Sequence, residues 1–130
     1  MILIDTDICI ELLRGNRQIL EKRLACGTEV AVAFMTAAEL FYGAEKSQKS
    51  KENLGLVERF LLSVRVLHTD SDVARKFGQL KAGLALEGFM LPDADLLIAA
   101  TALARDATLI TGNVKHFQRV GELKTDNWLK

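Results

Sequence analysis

Residues 93–113 read DADLLIAATALARDATLITGN. Asp93 to Arg105 predicts a helix with almost no polar face, so it is buried on most sides. Thr108-Leu109-Ile110-Thr111 follows as a short apolar strand, stopped by Gly112 and Asn113. A helix that needs cover all round, beside a strand with no polar alternation, belongs to a sheet packed on both faces.

The same alternation runs through the rest of the chain. Ile2-Leu3-Ile4 is a short β-branched run that stops at Asp5. Asp7 to Arg14 is helical, with Ile8, Cys9 and Leu12 on one face and Gly15 as its stop. Gln18 to Cys26 forms a second helix with Ile19, Leu20 and Leu24 inward. Val30 to Phe34 is the next strand. Thr36 opens a helix to Lys46 with Leu40 and Phe41 inward, and the polar stretch Ser47–Lys51 is a loop. Leu54 to Leu62 is helical, Arg65 to His68 a strand, and Ser71 to Leu86 a helix with Val73, Phe77, Leu80 and Leu84 at helical spacing. Val114 to Phe117 is a short helix, and the tail adds an edge strand. Strands alternating with helices predict an α/β fold: a three-layer sandwich with a central parallel β-sheet flanked by helices. With 130 residues and no linker or repeat, one domain over 1–130 is expected.

Composition narrows the function. Lys plus Arg and Asp plus Glu each number 17, and the pI is near 6.7. There is no polybasic footprint for loose coating of nucleic acid, though a local site or a metal ion could still hold one. Cys9 and Cys26 make no disulfide framework and fit packing thiols in a reducing cytosol. His68 and His116 lack the spacing of a zinc site. No apolar run reaches the ~20 residues of a membrane span, and the N-terminus lacks signal-peptide features. A soluble cytoplasmic protein is expected.

In open α/β sheets, ligands bind beyond the carboxyl ends of the strands. Asp5 follows the first strand and Asp7 opens the first helix. Thr36 and Glu39 follow the second strand, Asp93 and Asp95 open the buried helix, and Asn113 follows the fourth strand. Each has a purely structural reading. Thr36-x-x-Glu39 matches a capping box with Met35 and Leu40 as its staple. Asp93 and Asn113 are good N-caps, and Asp5 or Thr6 caps the first helix. Together, however, Asp5, Glu39 and Asp95 come from three elements to one sheet edge. Clustered carboxylates repel, and hard oxygen ligands suit Mg²⁺ or Mn²⁺. Such a centre is suited to phosphate chemistry. Arg14 and Lys46 are candidates for a substrate rim.

The segments LIDTDICIELLRG, TAAELFYGAEKS, PDADLLIAATAL, and ATLITGNVKHFQRV followed by DNWL resemble the PIN domain, and more narrowly the VapC ribonuclease toxins of toxin–antitoxin pairs. The resemblance spans essentially the whole chain. It implies that Asp5, Glu39 and Asp95 are the metal-binding catalytic acids, with Asn113 at a fourth position that is often Asp. Asn113 supplies no charge, and Asp7 stands where Asn is commoner. Thr6, Asp7, Asp93 and Thr111 are expected to support the site. The resemblance implies a Mg²⁺- or Mn²⁺-dependent endoribonuclease that hydrolyses RNA phosphodiesters, in tRNA or rRNA, to 5′-phosphate and 3′-hydroxyl ends and so arrests translation. It also implies a homodimer neutralised by a small VapB-type antitoxin, for which helices 37–44 and 54–62 offer a groove.

Two other readings compete. Asp5-Thr6-Asp7 also resembles the start of haloacid-dehalogenase-type phosphohydrolases, but Cys9 and the short chain fit these poorly. A PIN-like binding module with vestigial acids is the non-enzymatic alternative, and it would ignore Mg²⁺.

Overall fold

A computed structural model describes residues 1–130. Strand β1 (Ile2–Ile4) lies between β2 (Val30–Ala33) and β4 (Thr108–Ile110), with β3 (Arg65–Leu67) and β5 (Thr125–Asp126) at the edges. The order is β3-β2-β1-β4-β5 and every pairing is parallel. Leu3 and Ile4 are both fully buried. Successive strand residues face opposite sides, so both faces of the sheet are covered. The result is three layers, as the near-continuous apolar strands predict.

One face carries α1 (Thr6–Leu13), α2 (Arg17–Ala25), α3 (Phe34–Glu45) and α4 (Ser50–Leu62). Its core joins Ile4, Ile8, Ile19, Val32, Leu40 and Phe60, closed by Trp128 from the C-terminal tail. The other face carries α5 (Ser71–Leu86) and α6 (Asp93–Ala104), with Ile98, Ala99 and Ala102 of α6 against Leu3, Ala31 and Leu109. Each large side chain buried here contributes about 1.5–3 kcal/mol relative to exposure. A 3₁₀ helix, Val114–Phe117, follows β4. No helix is long and apolar enough to cross a membrane.

Several expectations need correction. The helix expected from Thr36 begins at Phe34, because β2 passes into α3 without a loop; Ala33 is the extended cap residue and no side chain caps the helix. Thr36 is therefore a buried interior residue, and Thr36-x-x-Glu39 is not a capping box. Asp93 is the first helical residue of α6 rather than its cap, which is Pro92. Asn113 does precede the 3₁₀ helix, but its side chain caps nothing. In α2 only Ile19 is buried; Leu20 and Leu24 are exposed, since this nine-residue helix packs mainly against α1 and has little else to lie on. The polar loop is shorter than expected, with α4 starting at Ser50. Gly15, at φ +80°, makes the left-handed turn after α1 that favours glycine.

Candidate active site

The chain leaves β1 toward β2 and β3, then returns to β4 on the other side of β1. The strand order thus reverses between β1 and β4, and the carboxyl ends of these two strands flank a crevice. Asp5 stands at the end of β1, and its backbone N–H donates to Ile110 O of β4 at 2.8 Å. Its side chain is buried at 7% exposure. Oδ1 accepts from Thr6 N and Oδ2 from the Thr111 hydroxyl, both at 2.8 Å. Thr111 Oγ1 in turn accepts from Asn113 N at 3.0 Å. Burial, reinforced by Asp7 and Asp95, pushes the Asp5 carboxyl up to about 6 against these hydrogen bonds.

Asp7 spans the crevice from α1. One oxygen accepts from Ile8 N at 2.8 Å and the other from Gly112 N at 2.9 Å. Its carboxyl is also raised, by burial first and by Asp95 to a lesser degree. Gly112 is required here by close approach, because a Cβ would lie 2.8 Å from Asp7 Oδ2 and 2.4 Å from Leu129 Cδ1. Glu39 arrives from the second turn of α3, where Oε1 accepts from the Thr6 hydroxyl at 2.7 Å. The Thr6 and Thr36 hydroxyls are themselves 3.1 Å apart. Thr6 therefore holds two acids, Asp5 through its backbone and Glu39 through its side chain. Asp95, in the first turn of α6, meets His116 of the 3₁₀ helix, with Nε2 2.7 Å from Oδ2.

Asp5, Asp7 and Asp95 thus gather at the crevice, and Thr6 links Glu39 to them. Thr111 contacts Asp5 directly. Asn113 presents its backbone to Thr111 while its residue stays exposed. Two predicted members lie elsewhere. Asp93 pairs with Lys81 at 2.9 Å on the exposed surface, because it starts α6 on a different side from Asp95. Lys46 caps the far end of α3 and lies over the Tyr42 ring, 4.8 Å from its centroid; seven residues past Glu39, it is about 10 Å farther along the helix. Arg14 makes a loose exposed pair with Glu11 and lines a cavity that also includes Glu39. His116 is the participant that sequence reading missed. Its only signal is its place one turn beyond Asn113, and its partner is 21 residues away.

As the side chains stand, no group of three or more His, Cys, Asp or Glu is arranged to hold a metal ion. Each acid rests on a hydrogen-bond donor of the chain instead. The donor set nevertheless fits a hard divalent cation. It consists of carboxylate oxygens, among which Asp7 and Asp95 add to the upward push on Asp5 and Asp95 adds to that on Asp7, and Asp5, Asp7 and Glu39 have no Lys or Arg ion pair.

Residues 2–123 match the PIN domain family. A tRNA(fMet)-specific endonuclease VapC from Shigella flexneri is 35% identical over 97% of this chain and 96% of its own. The chain belongs to the PIN-domain family, in its VapC branch. Ribonuclease VapC2 of Haemophilus influenzae is 34% identical over 98% of this chain and 97% of its own. The crystal structure of DNA-bound VapBC from Salmonella typhimurium superposes with a TM-score of 0.93 at 31% identity, covering 98% of this chain and 99% of that one. Membership in the PIN family replaces the haloacid-dehalogenase reading of Asp5 and Asp7. It also agrees with the parallel three-layer sheet and its reversal of strand order between β1 and β4.

Proposed function

We propose that this VapC-family chain is an endoribonuclease toxin of the cytoplasm that uses Mg²⁺ or Mn²⁺ to hydrolyse RNA phosphodiesters and is neutralised by a VapB-type antitoxin. The observation that carries the reading is the set of uncompensated acids at the strand-order reversal, with Asp5 buried and pushed up to about 6. Asp5, Glu39 and Asp95 are the residues that hold the cation, with Asn113 and Asp7 beside them. When bound, a divalent cation polarises the phosphoryl oxygen and makes water a better nucleophile at neutral pH. The chain's own residues preorganise that centre. Thr111 and Thr6 fix the two oxygens of Asp5, and Thr6 also holds Glu39. Gly112 N and Ile8 N fix Asp7. Fixed dipoles of this kind spare the site reorganisation during reaction.

The partner fits the other half of the geometry. A cavity of about 310 Å³ runs between α1, α3 and α4, lined by Ile10, Leu13, Leu40, Leu56 and Val57, with Glu39 in its wall. An amphipathic antitoxin segment would lay apolar side chains in this groove and direct a basic one at Glu39. Homodimerisation, as the family implies, is part of the same reading.

The test uses purified, antitoxin-free protein with total RNA and with initiator tRNA, the substrate in the Shigella relative's name. Discrete cleavage with Mn²⁺, abolished by EDTA and by Asp95→Asn, supports the proposal. Mn²⁺ binding by calorimetry separates the alternatives: no cleavage and no binding indicates a vestigial binding module. Leu56→Glu is expected to weaken antitoxin binding at least tenfold, and unchanged antitoxin affinity would overturn the groove assignment.

A further inference from the structure

His116 is held firmly although it belongs to no long element. Its ring meets that of Phe117 edge to face, with centroids 5.4 Å apart and planes at 85°. Phe117 is buried against Leu3, Ile98 and Leu109 in the core beneath the sheet. The imidazole therefore sits on a rigid footing. From there Nε2 reaches Asp95 Oδ2 at 2.7 Å, with both side chains about 30% exposed. An ionised carboxylate only accepts, so the imidazole donates.

This bond is unlike the others in the site. Asp5 and Asp7 each accept two hydrogen bonds, all from threonines or backbone N–H groups beside β1 and β4. Asp95 comes from α6, across the crevice, and accepts only the one from His116. No Lys or Arg touches it. One oxygen is thus anchored to the segment that follows β4, and Oδ1 makes no hydrogen bond within the chain. A lysine in this place would neutralise the carboxylate as a competing cation. A single imidazole N–H fixes the carboxylate and leaves its second oxygen open.

We propose that His116 is a positioning residue: through Nε2–H···Oδ2 it sets the orientation of the Asp95 carboxylate so that Oδ1 is kept for the divalent cation. This inference rests on the nuclease reading above. Hydrogen-bond partners of metal-ligating side chains are worth about 10–100-fold in metal affinity. His116→Ala is expected to weaken Mn²⁺ binding, measured by calorimetry, within that range. RNA cleavage then falls at limiting Mn²⁺ and recovers largely at saturating Mn²⁺. His116→Gln, whose amide N–H donates from a similar distance, restores most of the affinity, which a purely packing role for the ring would not predict. Urea unfolding in EDTA reports separately on folding. Wild-type Mn²⁺ affinity in folded His116→Ala, or a Gln variant as weak as the Ala one, overturns the positioning role and leaves the nuclease reading intact. Failure of the wild-type protein to bind Mn²⁺ overturns both.

Discussion

Asp5→Asn is expected to stabilise the metal-free protein at neutral pH while abolishing cleavage. The ordinary carboxyl value of 3.8 rises to about 6 in the fold. Between those values the folded state holds a proton that the unfolded chain releases, so the contribution to stability falls as pH rises from 3.8 through 6. Above 6 the full cost of ionising a buried Asp5 is present, about 3 kcal/mol at 1.36 kcal/mol per pH unit. Asparagine avoids that charge. Its carbonyl oxygen keeps the bond from Thr6 N, but its amide meets the Thr111 hydroxyl, which already accepts from Asn113 N. The hydroxyl proton then loses its acceptor, at a cost of about 1 kcal/mol. At pH 7.5 the variant gains a net of about 2 kcal/mol. At pH 4.5 the cost in the wild type has fallen to about 1 kcal/mol, and the two proteins are equally stable. Urea unfolding in EDTA at the two pH values measures this difference. Saturating Mn²⁺, at about 100 times Kd, then stabilises the wild type by about 2.7 kcal/mol and leaves the variant unmoved. A variant less stable at pH 7.5, or a difference independent of pH, would refute the argument that Asp5 is a buried, uncompensated charge.

Trp128→Ala removes a buried ring that closes the core over Ile4, Ile8 and Ile19, and is expected to cost about 3–5 kcal/mol in urea unfolding. Gly112→Ala places a Cβ against Leu129 and Asp7. The exposed Leu129 side chain can swing away, but Asp7 is pinned, so cleavage is expected to fall by about 10-fold or more with a modest loss of stability. Asn113→Asp adds a carboxylate beside the crevice, and calorimetry is expected to register Mn²⁺ affinity raised by about 10-fold.

The strands and helices were legible because their signals are local. Ile2–Ile4 and Thr108–Ile110 are apolar runs ended by polar residues, and both are strands. The nearly all-apolar stretch after Asp95 is a helix buried on most sides. Pattern failed where the surroundings decided burial. Leu20 and Leu24 hold helical spacing with Ile19, yet only Ile19 finds a core to enter. Thr36 reads as a cap by its spacing to Glu39, but Phe34 already begins the helix, and the hydroxyl turns inward to Thr6.

The same division holds at the site. Asp5, Glu39 and Asp95 could be picked out because polar residues that follow strands, or open helices, collect at one sheet edge in any fold of this topology. Residue type and position along the chain suffice for that, so the fold class and the candidate acids are legible from the order of amino acids. Which acids meet, and what holds each, depends on chain crossings that no local pattern encodes. Asp93 and Asp95 are two residues apart, yet one faces Lys81 and the other His116. Gly112 must be glycine because Asp7, from the opposite end of the chain, approaches its backbone. Contacts between residues distant in sequence are fixed only when the layers pack, so the tertiary structure alone decided the geometry of the crevice.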